Sequence, residues 1–178
     1  MERTDGLVTG RKTGKADARM KTYVRVVSQP ARGSLAAADA IRLDHEARRK
    51  TRQRTTTVAG TEAALLLPRG TVLRDGDVVQ AEDGGLAVIV AADEALSEVR
   101  CDEPTLLARV AFHLGNRHAE VMLAAGCVRY PADAVLDDML RGLGLVPQPV
   151  LGPFEPEPGA YVAILDAAVG AVRAPWIP

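Results

Sequence analysis

The sequence predicts an α+β protein with a small β-sandwich or barrel in its N-terminal half and a ferredoxin-like βαββαβ domain in its C-terminal half. Short β-branched or apolar runs, divided by Gly, Asp and Pro turns, recur before residue 92. From residue 95 the pattern becomes strand, helix, strand, strand, helix, strand. An apolar content of 47% in 178 residues is enough for one ordinary domain or two small ones. We therefore expect one domain at 22–94 and another at 95–161.

Residues 1–21 are polar and contain no apolar periodicity, which predicts a disordered extension. Residues 162–178 form an apolar tail without histidine, and its role is left open. Between them, the N-terminal half contains six strand-like runs, at Tyr23–Val27, Ile41–Leu43, Thr55–Val58, Ala64–Leu67, Val78–Ala81 and Leu86–Ala92. The last two runs flank Asp83-Gly84-Gly85, which predicts a hairpin over Val78–Val90 because glycine supplies the positive φ of tight turns.

A dense run of positive charge interrupts this β-rich half. It indicates either a docking patch for an acidic partner or nucleic acid, or the solvated face of a strand and loop. His45 lies in the same polar stretch and is expected to be an exposed surface residue. The candidate partner-binding residues are Arg48, Arg49, Lys50, Arg52 and Arg54.

Two helices are predicted in the C-terminal half. The first runs over 104–114, is capped by Asp102 or Glu103, and should end at Gly115, with Asn116 tolerating a left-handed conformation. The second opens at Asp133, carries its own apolar stripe and is stopped by Gly144. The four predicted strands are Leu96–Cys101, Glu120–Ala124, Cys127–Tyr130 and Leu145–Leu151.

His118 is the principal candidate site residue. The chain has three histidines, and His113 and His118 both lie near the end of the first long helix. Imidazole is the usual side-chain ligand for borderline metals. One histidine is too few for a metal, but a two-fold dimer would pair His118 with its symmetry mate and suit Ni(II), Cu(II) or Zn(II). His113 is either a partly buried helix residue or an auxiliary ligand.

Composition argues against several other classes. A net charge of −1 gives no field that would attract nucleic acid or an anionic membrane, and an aromatic content of 3% leaves few platforms for bases. No apolar run approaches the roughly 20 residues that span a bilayer. We expect a cytosolic chain, in which Cys101 and Cys127 are buried, reduced thiols.

Several blocks together resemble the UreE family of urease accessory proteins, which are cytoplasmic nickel metallochaperones. The blocks, in chain order, are LPRGTVLRDGD at Leu67–Asp77, AADE at Ala91–Glu94, HLGNRH at His113–His118, VLDDML at Val135–Leu140 and FEPEPGAY at Phe154–Tyr161. The resemblance implies a peptide-binding-like N-terminal domain and a dimeric C-terminal domain. It also implies that His118 and its symmetry mate bind nickel at the dimer interface and deliver it to urease, through the accessory GTPase of that system.

The sequence departs from this family in two places. Many relatives carry further histidines at the position of Tyr130–Ala134 and in a histidine-rich tail, and this chain has none in either place. We therefore expect one shared metal per dimer. The segment Phe154–Tyr161 indicates a rigid extended loop pinned by its aromatics, although Glu155 or Glu157 as an oxygen ligand remains open.

Two other functions are compatible with the sequence. One is a protein-binding or folding-assistance module in which the N-terminal domain does the work and metal binding is incidental. The other is a hydrolase that uses His118 as a general base, for which the sequence identifies no nucleophile.

Overall fold

A computed structural model describes residues 20–27 and 38–158. Residues 1–19 of the predicted extension, the apolar tail and Tyr161 therefore lie outside the described residues. The prediction placed Lys21 in the extension, and this was wrong, because Lys21 is the first residue of a strand, Lys21–Val27. The described chain contains two β-sheets, and the chain passes from the first to the second at Ala92, between strands β6 and β7. The boundaries 22–94 and 95–161 remain our proposal for the domain limits.

The first sheet has six strands in the order β2-β6-β5-β1-β4-β3. The backbone N–H of Val58, just after β3, donates to the carbonyl of Ala40 in β2 at 2.7 Å, so the two edges approach one another and the predicted small barrel is confirmed as a nearly closed one. Its core includes Tyr23, Ile41 and Leu65, each fully buried. The strands are β1 Lys21–Val27, β2 Asp39–Leu43, β3 Arg52–Thr56, β4 Glu62–Leu66, β5 Val78–Ala81 and β6 Leu86–Ala91.

The hairpin of β5 and β6 forms as predicted, with Gly84 at φ 86° in its turn. Two other features differ from the prediction. The third strand is the polar run Arg52–Thr56 rather than Thr55–Val58, because pairing with β4 outweighs its low apolar content. The charged run also begins in a short helix, α1 His45–Arg48, capped by the Asp44 side chain.

The second sheet has four antiparallel strands in the order β10-β7-β9-β8, with helices between β7 and β8 and between β9 and β10. This is the strand order of the split βαβ arrangement, so the predicted ferredoxin-like domain is confirmed. The helices pack on one face through Val110, Leu114 and Leu140. The elements are β7 Asp93–Arg100, α2 Pro104–Gly115, β8 Met122–Ala124, β9 Cys127–Pro131, α3 Ala134–Gly142 and β10 Gln148–Pro153.

Strand limits in this half differ from the prediction at their ends. Strand β7 begins three residues earlier than Leu96, at Asp93, because pairing with β10 extends to Pro153. Strand β10 begins at Gln148 rather than Leu145, since Leu145 instead closes the end of α3. In the part of the chain that the structure describes, no helix is long and apolar enough to cross a membrane.

Candidate functional site

The site is built on the C-terminal end of α2. This helix starts at Pro104, and the Glu103 side chain caps it by accepting the backbone N–H groups of Thr105 and Leu106. Leu114, in the last turn, is fully buried against the sheet. The buried stripe therefore fixes where the helix ends and where the following residues emerge.

His118 lies directly after this helix in a left-handed conformation, with φ 55°. Its backbone N–H donates to the carbonyl of Gly115 at 2.9 Å, and the N–H of Ala119 donates to that of Leu114 at 3.1 Å. These two bonds define a Schellman motif in which His118 holds the position that glycine usually occupies. The helix ends at Gly115 as predicted, but Asn116 does not use its tolerance of the left-handed conformation and has φ −64°. The reason is that helix-like hydrogen bonds continue through Arg117, which moves the left-handed position to His118.

The conformation of His118 is unusual for a residue with a side chain. Among the described residues it is the one non-glycine with positive φ. Left-handed backbone costs an L-residue roughly 1–2 kcal/mol, and such strain is concentrated at functional sites. The residue is exposed, so its imidazole is available to a ligand. Within the described ranges, no three His, Cys, Asp or Glu side chains converge on a point that could hold a metal.

His113 and Phe112 lie in the last turn of the same helix. His113 is partly buried, as one of the two predicted alternatives required, and its ring meets that of Phe112 edge to face at 5.5 Å. Phe112 is 62% exposed, which is high for an aromatic side chain. Phe112 was not predicted to have a role, although its place opposite the apolar stripe that contains Val110 and Leu114 indicates that it faces outward.

Glu120 fastens the loop after His118 to α1. One carboxylate oxygen lies 3.0 Å from Nε2 of His45, and the other accepts from Nη1 of Arg49 at 2.7 Å. The His45 ring also packs edge to face on Phe154, with centroids 5.4 Å apart. The prediction of His45 as an exposed surface residue was wrong: its side chain is 14% exposed, because α1 turns it toward the second domain.

Arg48 makes the deepest contact between the two halves. Its side chain is 1% exposed; it is paired with Glu155 and donates through Nη2 to the carbonyl of Phe154. Glu155 also accepts the backbone N–H of Asp75 at 3.1 Å. Arg48 was predicted in the partner-binding set, and its burial corrects that placement, whereas Arg49, Lys50, Arg52 and Arg54 are exposed.

The segment after β10, Phe154–Pro158, is an extended loop that packs on the rest of the protein. Phe154 is fully buried with Leu96 and Met122, which supports the prediction of an extended loop pinned by its aromatics. The backbone N–H of Glu157 donates to the carbonyl of Val121 at 2.7 Å, beside the His118 loop. The carboxylate of Glu155 is engaged by Arg48, so the alternative of an oxygen ligand finds no support there, while Glu157 is exposed.

Neither cysteine has the features of a metal ligand. Both are free; Cys127 is buried, as predicted, whereas Cys101 is only partly so. Burial raises the pKa of the Cys127 thiol, and the neighbouring Glu98 carboxylate raises it further. A thiol held in its protonated form is a poor ligand, because metals bind the thiolate.

The fold and site define a two-domain α+β protein whose ferredoxin-like half exposes one histidine at a helix end. Family models of the N-terminal and C-terminal domains of the UreE urease accessory protein match residues 20–92 and 94–169 respectively. The chain belongs to the UreE family.

Relatives named urease accessory protein UreE match most of the chain. The one from Pseudomonas putida strain GB-1 is 48% identical over 143 residues, which is 80% of this chain and 86% of the relative. The relative from Alkalilimnicola ehrlichii is 52% identical over 127 residues, which is 71% of this chain and 78% of the relative. The relative from Burkholderia lata is 49% identical over 127 residues, which is 71% of this chain and 61% of the relative.

Proposed function

We propose that this protein is a non-enzymatic nickel metallochaperone that takes part in urease maturation. It binds Ni(II) as cargo between His118 and the His118 of a second copy, and releases it for assembly of the urease active site. The observation that carries the proposal is the exposed His118 in a left-handed position that favours glycine. Backbone strain of this kind is concentrated at functional sites, which supports a role for the side chain.

The second ligand comes from symmetry. A two-fold dimer brings the same loop of two chains together, so that one exposed imidazole per chain becomes a pair. Two imidazoles leave coordination positions open to water or an incoming ligand, which suits transfer rather than storage. Cu(II) and Zn(II) fit the same donors, and Cu(II) binds them more tightly, so selectivity for nickel comes from metal supply and partner recognition.

Phe112 supports a dimer surface at this end of α2. An aromatic side chain left 62% exposed in the last turn of α2, six residues before His118, is suited to burial in an interface, where aromatic residues are enriched. His113, partly buried beside Phe112, would then lie near the shared site and serve as an auxiliary ligand or support.

The name shared by the relatives points to the partners. We propose that the homodimer acts in the cytoplasm with urease apoprotein and the accessory GTPase of urease maturation. Two free thiols agree with a reducing compartment. Nucleic acid and membranes are not among the proposed partners.

Calorimetric nickel titration of His118→Ala tests this function. The variant should lose stoichiometric binding because the only exposed imidazole of the α2 end is removed. His113→Ala is the matched control on the same helix end and should keep the binding stoichiometry, with at most a weaker Kd. Unchanged binding in His118→Ala would refute the site.

A further inference from the structure

A cationic recess lies beside α1, on the side of the barrel where β3 begins. Its volume is about 530 Å³, and it is lined by Arg49, Lys50, Thr51, Arg52, Leu67 and Arg69. The pairing of β3 with β4 creates it. The backbone N–H of Leu67 donates to the carbonyl of Thr51 at 2.8 Å, which brings Arg69 beside the charged run although it lies 15 or more positions further along the chain.

The recess has an excess of positive charge that the described residues do not neutralise. Arg49 is paired with Glu120 at 2.7 Å and Lys50 with Glu46 at 2.7 Å. Arg52 and Arg69 have no acidic partner within residues 20–27 and 38–158. Two uncompensated guanidinium groups facing one concavity are suited to carboxylates, which they bind in bidentate geometry.

The open edge of the sheet continues from the recess. Within Arg52–Thr56, β3 pairs with β4 alone. The chain reaches β2 only after β3 ends, where the backbone N–H of Val58 donates to the carbonyl of Ala40. The carbonyl of Thr51 accepts from the N–H of Leu67, and the N–H of Thr57 donates to the carbonyl of Thr61. By the alternation of an antiparallel pair, the backbone groups of Arg52 and Arg54 therefore point away from β4. An extended peptide can add to such an edge through its own backbone.

We propose that this recess, together with the β3 edge, binds an extended acidic segment of a partner protein, with its carboxylates on Arg52 and Arg69. Among the described residues, no aromatic side chain lines the recess, so bases find no stacking platform there, which disfavours nucleic acid. The volume exceeds that of a single phosphate and spans two strands, which favours a chain segment. The inference deepens the proposed role in urease maturation by giving the chemistry of a partner segment, and it needs no metal.

The test is fluorescence anisotropy of the nickel-free full chain with a labelled peptide of about ten residues in which Glu alternates with Thr. A peptide with Gln in place of Glu is the neutral control. The wild-type chain should bind the acidic peptide at least about tenfold more tightly, and binding should weaken with salt because exposed charges are screened. Equal binding of the two peptides would overturn the proposal.

Charge reversal locates the site. Arg52→Glu/Arg69→Glu should weaken acidic-peptide binding by about tenfold or more. Arg109→Glu, at an exposed position on α2 in the second domain, should leave it unchanged. Far-ultraviolet circular dichroism checks folding, and Arg52→Gln/Arg69→Gln replaces the reversal if that variant does not fold. Wild-type affinity in the folded double variant, or equal loss in Arg109→Glu, would overturn the assignment.

Two further outcomes separate this inference from its rivals. Inorganic phosphate should displace the peptide no better than chloride at matched ionic strength; stronger displacement would show a small-anion pocket and contradict a peptide site. His118→Ala should bind the acidic peptide like the wild type. Its nickel binding and its peptide binding therefore report separately on the proposed function and on the recess.

Discussion

His118 at the end of α2 and Gly144 at the end of α3 occupy the same position of the same capping motif. Gly144 has φ 82° and donates to Arg141 at 2.9 Å, and Leu145 donates to Leu140 at 3.1 Å. The corresponding bonds at α2 are those of His118 and Ala119. One helix thus ends with the residue that the backbone favours, and the other with an imidazole.

Replacing His118 by glycine should stabilise the protein. The change relieves left-handed strain of about 1–2 kcal/mol in the folded state. Glycine also gives the unfolded chain more conformational entropy, which opposes folding by roughly 0.5–1 kcal/mol. The free energy of unfolding should therefore rise by about 0.5–1 kcal/mol. Urea unfolding measures the difference. Nickel binding should be lost in the same variant, so stability and function would move in opposite directions.

Gly144→Ala is the control for this comparison. A Cβ at this position meets nothing within 4 Å, so its cost comes from the backbone alone. We expect a loss of about 1 kcal/mol. A His118→Gly variant less stable than the wild type, beside a Gly144→Ala variant of unchanged stability, would show that the capping motif is not strained.

Breaking the buried ion pair between Arg48 and Glu155 should destabilise the protein strongly. Glu155→Ala leaves the Arg48 guanidinium buried without its carboxylate, and such losses are typically about 3–5 kcal/mol. Equilibrium denaturation provides the measurement. The double variant Arg48→Met/Glu155→Gln should be more stable than Glu155→Ala, because it removes the buried charge as well.

The exposed pair of Arg49 and Glu120 is the matched comparison, since Arg49 directly follows Arg48 in the chain. Both side chains are about half exposed, at 55% and 43%, so Arg49→Ala should cost less than about 1 kcal/mol. If Arg49→Ala and Glu155→Ala cost the same, burial would not be what makes the Arg48 pair strong.

Stability at acid pH should depend on Glu98. Burial alone would raise the pKa of this carboxyl, but hydrogen bonds from Arg129, Arg100 and Cys127 outweigh it and hold the pKa below its usual value. A depressed pKa contributes stability that is complete above the unfolded pKa, about 4.3, and is lost as pH falls through the folded value.

The corresponding variant is Glu98→Gln, followed by urea unfolding in steps from pH 7 downward. It should be less stable than the wild type at pH 7, and the gap should narrow below about pH 4.3. Glu62→Gln, at an exposed position on β4, is the control and should follow the wild type. A gap that stays constant with pH would rule out the role given to Glu98.

Local signals allowed much of the fold to be predicted. Helices α2 and α3 each contain an apolar stripe and an acidic N-cap residue in their own sequence, so their limits were predicted closely. Helix α1 was missed because four charged or small residues show no periodicity. The long-range pair of Arg48 and Glu155 could not be predicted, since 107 positions separate the two residues and only the packing of both halves brings them together.

The candidate site was predictable in identity but not in geometry. His118 stood out as one of three histidines and through its GNRH block. Its left-handed backbone was not predicted, because Gly115 and Asn116 precede it and are the residue types that more often end a helix. Arg69 was not predicted to line the recess, because strand pairing rather than proximity in sequence places it beside Arg52.

Native mass spectrometry during nickel titration tests the central claim most directly, because it gives metal count and oligomer size on one sample. We predict one nickel ion per two chains in the wild type, and a His118→Ala dimer that carries none. One nickel ion on a single chain, or a His118→Ala dimer that still holds its metal, would contradict a site shared between two copies of His118.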